Sequence, residues 1–217
     1  MTPVAAVLTE ERILDAAEDV LRRFGPAKAT VVDVAKALGV SHGSVYRHFP
    51  TKVALRDAVA RRWLDRLAEP LDPARDTEGP AAERLLRWLE RLAAIKQGMA
   101  LNDPELFATF GQLTAEAREV VAAHVDHLAA ALTEIIADGV RSGEFAVPDP
   151  VPAGRAVLHA TARFHHPLHA SEWSDPAIGA ELREVWRLLV RGLAARPLPP
   201  DQADAGRRSV VDEAQGE

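Results

Sequence analysis

The chain contains no cysteine, so neither disulfides nor thiolate chemistry can carry its structure or its function. It also lacks runs in which β-branched and polar residues alternate. Ala, Leu, Arg and Glu dominate instead, and the prolines fall at the edges of periodic segments. That combination predicts an all-α protein. No uninterrupted apolar run approaches the roughly 18 residues of a membrane helix. The opening MTPVAAVLTEERIL has neither the basic start nor the long apolar stretch of a signal peptide. A cytoplasmic protein without membrane contact is the expectation. No Gly-x-Ser-x-Gly elbow and no His-Glu-x-x-His run occur, so no catalytic set and no resident metal or cofactor is expected. Overall positive charge is missing too. The net charge of −6 argues against generic coating of nucleic acid but not against a local basic surface.

What is present is concentrated between Thr30 and Lys52, TVVDVAKALGVSHGSVYRHFPTK. Thr30 and Asp33 have the spacing of a capping box. Val31, Val34, Ala35 and Leu38 then form one apolar helical face. Gly39 stands where a helix end calls for a positive φ. Ser41 caps a second helix on which Val45 and Phe49 point inward, leaving His42, Ser44, Tyr46, Arg47 and His48 outward or sideways. Small Ala35, turn Gly39 and buried Val45 make the helix-turn-helix pattern, whose second helix is free to enter a major groove. From Ser41 to Arg62 the charges are Arg47, Lys52, Arg56, Asp57, Arg61 and Arg62, a basic excess.

In chain order, residues 1–8 read as a loose arm and Thr9 caps a first helix that Gly25-Pro26 stops. A fourth helix starts at Thr51 and ends at Pro70, with Lys52 placed beside free backbone N–H groups that suit a phosphate. LDPARDTEG (71–79) reads as a linker, which puts a DNA-binding unit with its connecting helix at 1–70. A second domain at 71–195 holds helices over about 80–98, a short one opened by Asp103-Pro104, a long one from Thr114 to Arg141, one from Pro152 to His166, and a last one after Asp175-Pro176. Residues 196–217 are polar and rich in Pro and Gly, which predicts disorder. On the last helix Ile178, Leu182, Val185, Trp186, Leu189, Val190 and Leu193 give an apolar arc too wide for a one-sided helix. Either burial or an interface would produce it.

The helix-turn-helix followed by VYRHFPTK, with Tyr46, Phe49 and Lys52 in a Y-x-x-F-x-x-K run, resembles the TetR/AcrR family of transcriptional regulators. The resemblance covers Thr9 to about Leu67, with an echo in IIADGVRSGEF (135–145). It implies a three-helix DNA-binding domain joined by a fourth helix to a larger helical domain for effector binding and dimerisation, about nine helices in all. It also implies a homodimer built from the last two helices of each chain as a four-helix bundle. Val157, Phe164, Ile178, Leu182, Val185, Trp186 and Leu189 are the interface candidates. The expected partner is a near-palindromic double-stranded operator. Thr30, Ser41, His42, Gly43, Ser44, Tyr46, Arg47, His48 and Lys52 are its candidate contacts, with Arg47 for base edges and Thr30, Tyr46, His48 and Lys52 for phosphates. A small hydrophobic or aromatic effector would meet Trp88, Met99, Phe107, Phe110, His127 and Phe164, and its binding would release a repressor from DNA. The competing reading is a metal-responsive or metal-binding helical protein using His124, His127, His165, His166 and His169, with Glu172 beyond. Pro167 interrupts the helical register of that cluster.

Overall fold

The computed structural model describes residues 7–72 and 78–194. The first six residues of the expected arm, most of the linker and the expected disordered tail lie outside the described residues. Among the described residues there are nine α-helices and no strand.

Helix α1 (Glu10–Lys28) begins where Thr9 accepts from the Arg12 N–H at 3.3 Å. Gly25 breaks it with φ 72°, and Pro26 starts a final turn. Helix α2 (Val31–Leu38) carries the full capping box, and Gly39 ends it in the left-handed region at φ 67°. Helix α3 (His42–Tyr46) is one short element. Its chain curls on so that the Phe49 N–H reaches the Val45 carbonyl at 3.0 Å. Helix α4 (Lys52–Ala68) is capped by Thr51.

The remaining helices are α5 (Ala81–Asn102), α6 (Pro104–Glu116), α7 (Arg118–Ser142), α8 (Pro150–Ala160) and α9 (Ile178–Ala194). Two boundaries differ from expectation by more than the ordinary few residues. The long helix starts at Arg118 and not at Thr114, because Ala117 adopts φ −94°, ψ 58° and divides α6 from α7. The helix expected to reach His166 stops at Ala160, followed by 3-10 turns at 162–164 and 167–172. Pro167 forces His166 out of the helical region, to φ −86°, ψ 128°. By length and composition α7 is apolar enough to cross a membrane. Its Val120 packs in one core and its Leu128, Leu132, Ile135 and Ile136 in the other.

The hydrophobic interior does not divide at the linker. One core joins Ile13, Val20, Val34, Val45, Phe49, Val59 and Trp63 of the first four helices to Phe107, Phe110 and Leu113 of α6 and to Phe164, Trp173 and Leu182. The other holds Leu85, Trp88, Leu92, Leu132, Ile136, Val157 and Trp186. The chain from α4 onward is therefore in packing contact with the unit that α1 to α3 form. Close approach of α8 to α7 depends on Gly154, where a Cβ would sit 2.8 Å from the Thr133 backbone nitrogen and 3.0 Å from the Ala129 carbonyl. Glu144, just after α7, closes the start of α5 by accepting from the Ala81 and Ala82 N–H groups at 3.0 and 3.3 Å. Those amides, Ala81 foremost, hold its carboxyl below the ordinary range.

Candidate nucleic-acid interface and interior polar site

The α2–α3 unit is rigid from behind and polar in front. Val45 is 0% exposed and Phe49 7%, which fixes the roll of α3 and turns His42, Gly43, Tyr46 and Arg47 to solvent. The Ser41 hydroxyl accepts from the Ser44 N–H at 3.1 Å and lies 2.9 Å from the Ser44 hydroxyl. Arg47 folds back along the helix and donates from Nη2 to Ser44 Oγ at 3.1 Å. The His42 and Tyr46 rings meet edge to face, 6.4 Å between centroids. His48 is half-buried. Gly43 has no structural need to be glycine, since a Cβ there would meet only Ser41 Oγ at an ordinary 3.7 Å.

Lys52 is exposed at the first position of α4, a helix with no acidic residue in its first turn. Thr30 is the helix cap that its spacing from Asp33 predicts. Its hydroxyl donates to Asp33 Oδ2 at 2.6 Å, and its own N–H reaches the same oxygen at 3.1 Å. The side chain is engaged as a cap beside a carboxylate, which disfavours the expected role as a phosphate anchor. The basic excess of α4 is also reduced. Arg56 pairs with Glu116 of α6, and Arg62 reaches Asp15 and Glu18 of α1, each at 2.7 Å. These arginines tie α4 to its neighbours. Face-to-face stacking of Trp63 on Phe110, 4.7 Å between centroids, strengthens the same joint.

The expected effector-lining residues do not converge on one cavity. Phe107, Phe110 and Phe164 belong to the first core, Met99 packs on its edge, and Trp88 belongs to the second. His127 is exposed at a cleft of about 430 Å³ between α4 and α7, which His124, Arg61, Asp65 and Glu69 also line. Of the interface candidates, Val157, Phe164, Ile178, Leu182 and Trp186 are already buried within one protomer. Only Val185 and Leu189 stay half-buried, and Leu188, at 70% exposed, is the outward apolar residue of α9. The wide arc of α9 is thus largely explained by its own core.

The histidines separate into different jobs. His166 accepts from the Leu168 N–H at 3.3 Å. His169 Nδ1 lies 2.8 Å from Glu172, which Arg163 also holds at 2.7 Å. Among the described residues no group of three or more His, Asp or Glu side chains is placed to hold a metal ion. The residue that the sequence did not single out is Lys96. It is 5% exposed and continues the buried line of Leu85, Leu89 and Leu92 on α5. Spacings of four, three and four along that line were the available signal. Burial pushes its ammonium down to about 8. Burial first, then Lys96, lowers His124 to about 3 and His165 to about 4, so both rings are neutral. His165 Nε2 lies 3.2 Å from the Leu158 carbonyl, which can only accept, and 3.3 Å from the Thr161 hydroxyl, whose proton is directed to the Val157 and Leu158 carbonyls. The tautomer that satisfies both carries its proton on Nε2 and leaves Nδ1 as an acceptor. His124 Nε2 is buried without a hydrogen-bond partner among the described residues.

Comparison with known proteins places this geometry. The family described as bacterial regulatory proteins, tetR family, matches residues 13–59, and a tetracyclin repressor-like C-terminal domain family matches residues 81–186. An uncharacterised HTH-type transcriptional regulator of Mycobacterium tuberculosis (strain H37Rv) is 35% identical over 95 residues, 43% of this chain. The match covers 47% of that relative, so the chain spans about half the length of the first curated relatives it matches. The HTH-type transcriptional regulator RutR of Escherichia coli (strain K12) is 28% identical over 200 residues, covering 86% of this chain and 91% of RutR. Among solved structures, the regulator FadR from Bacillus subtilis in complex with stearoyl-CoA is 20% identical. It has a TM-score of 0.57 and covers 85% of this chain and 99% of FadR. At that identity the likeness is one of fold.

Proposed function

Since this chain belongs to the TetR family of transcriptional regulators, we propose that it is a homodimeric repressor reading a near-palindromic operator with one α3 from each protomer. The observation that carries this is the outward polar face of α3, locked from behind by Val45 and Phe49 and flanked by exposed Lys52. A two-fold pair of such helices fits successive major grooves about 34–36 Å apart. Arg47 and Ser44 would reach base edges, Arg47 by turning its guanidinium from Ser44 to a guanine. Tyr46, His48 and Lys52 would hold phosphates, Lys52 together with the free N–H groups of α4. Repression would be steric, in the cytoplasm, with no reaction catalysed.

The larger domain would supply the second protomer contact and an effector site. Exposed Leu188 on α9 and Val151 on α8 are the apolar residues such a contact would cover. A small, mainly hydrophobic or aromatic effector among the helices of this domain would shift operator affinity by its differential binding to two dimer geometries. The joint that transmits the shift would be the pairing of α4 with α6, through Trp63–Phe110 and Arg56–Glu116.

Selection of bound DNA from a random pool at defined salt tests the reading, and a palindrome is the expected product. Arg47→Ala should change the preferred sequence, at a cost of about 1–3 kcal/mol on the original site. Lys52→Ala should weaken all sequences alike and lower the salt slope by about one. Equal loss of specific and nonspecific binding in both variants would refute this division of labour.

A further inference from the structure

We propose that the effector of this regulator is a small organic monoanion, whose carboxylate pairs with Lys96 beside the neutral rings of His124 and His165. The inference rests on the regulatory reading above and names the chemical class of its ligand.

The starting point is a cation with no answering charge. Lys96 lies in the middle of α5, in a line otherwise made of leucines, and is 5% exposed. No carboxylate or hydrogen-bond acceptor among the described residues partners its ammonium. The titratable groups near it are His124, His165 and His166, whose protonated forms a neighbouring cation disfavours. A cation without a counter-charge on a side chain so far withdrawn from water is costly, and apolar side chains of similar size would fill the space without that cost. A methionine would continue the leucine line. The positive charge is explained if something negative arrives.

The surroundings suit a compact oxyanion. Lys96 supplies charge, and its ammonium, though lowered to about 8, is mostly protonated at neutral pH. The rings bring no net charge of their own. His165 is held by its Leu158 contact with Nδ1 as an acceptor, suited to a hydroxyl or N–H on the ligand. His124 Nε2 is buried and unpartnered among the described residues, so a ligand atom can satisfy it whichever tautomer is present. Gln97, next to Lys96, donates to the Phe164 carbonyl at 2.9 Å and holds the turn that carries His165.

His124 also connects the site to the DNA-binding half. It lines the cleft of about 430 Å³ between α4 and α7. On the α4 side that cleft presents three acids, Asp65, Glu69 and Asp72, against one cation, Arg61. These acids disfavour a second negative charge, which restricts the ligand to one. Of the three polar residues His124 is the one that lines this cleft, so a ligand that contacts it bears on α4, the helix that begins with Lys52.

The test uses the full chain and its selected operator. Butyrate, hexanoate, benzoate and phenylacetate are each compared with the corresponding primary amide, at constant ionic strength and neutral pH. Thermal shift and operator release are the readouts. At least one carboxylate should raise the melting temperature and release DNA while its amide does neither. In Lys96→Met that response should weaken by about tenfold or more, with operator affinity in the absence of ligand unchanged. Lys96→Arg keeps the charge and should keep the preference for carboxylate over amide, which guards against a Met variant that fails to fold. If no carboxylate outperforms its amide, or if Lys96→Met responds like the parent, the proposal is overturned while operator binding leaves the regulatory reading intact. Failure of the parent protein to bind any DNA would instead overturn that reading.

Discussion

Lys52 and Lys96 carry the same charge into opposite surroundings. Lys52 projects from the first turn of α4 into solvent, where a cation costs the helix about 0.3–1 kcal/mol. Lys96 sits in the leucine line of α5 at 5% exposed, where burial alone lowers it to about 8. The surface lysine belongs to a unit whose working groups are all outward and whose packing is complete without them. The interior lysine is part of the packing itself. A polar group of the first kind is free to serve a macromolecule that docks, whereas one of the second kind can serve only something small enough to enter. The same contrast separates the α2–α3 unit from the region where α5, α7 and the turn after α8 meet.

The largest effect that sharpens this contrast is on stability. Leu132 is 0% exposed in the core that α5, α7 and α8 share. Leu132→Ala should cost about 2–5 kcal/mol in chemical denaturation, from lost transfer energy plus the cavity left behind. Val32, on the outer face of α2, is 61% exposed, and Val32→Ala should stay within about 0.5 kcal/mol. Equal costs would show that the outward face of the reading unit is buried in the working molecule.

Acidification comes next and acts most strongly on the interior. Burial, with Lys96 nearby, holds His165 at about 4 and His124 at about 3, below the ordinary 6.5. Between the lowered and the ordinary value the unfolded chain binds more protons than the folded one. Stability is therefore fully present above pH 6.5 and falls as the pH drops toward 4. For His165 the shift corresponds to on the order of 3 kcal/mol once the pH is below both values. Lys96 has the same sign at the other end of the scale, so stability should rise from about pH 8 toward 10.5. Denaturation midpoints measured from pH 7.5 down to 4.5 check the acid limb, and His165→Asn should flatten it. An unchanged slope in that variant would place the acid sensitivity elsewhere.

The two regions were not equally legible in the sequence. The reading unit is built from local rules: a capping box at Thr30 and Asp33, a left-handed Gly39, a Ser41 cap and the Val45–Phe49 pair. Each rule acts within four residues, and each is found as expected. Where a long-range partner intervenes, the local reading loses force. Arg56 and Arg62 looked like part of a basic surface until Glu116, Asp15 and Glu18, on other helices, engaged them. Ala117, an ordinary residue in a periodic stretch, bends the chain between α6 and α7 without any Gly or Pro to announce it. The interior polar site depends on what meets across helices far apart in sequence, Lys96, His124 and His165, and periodicity places each on a face without saying which faces meet. Lys96 alone had a local signal, its spacing from Leu92.

The smallest effect bears on the reading unit and carries two opposite signs. Gly43 lies inside α3 with space for a methyl group, the nearest side-chain atom being 3.7 Å from an added Cβ. A glycine within a helix is less stable than alanine by roughly 0.5–1 kcal/mol. Gly43→Ala should therefore raise stability by about that amount, read from the denaturation midpoint. If the bare backbone of α3 lies against DNA, the same methyl group should weaken operator binding, since it occupies space the folded chain leaves for its partner. Stability gained with affinity lost is the signature of a glycine retained for a docked macromolecule. Stability gained with affinity intact would mean that α3 meets the groove by its side chains alone, with Gly43 turned from the duplex.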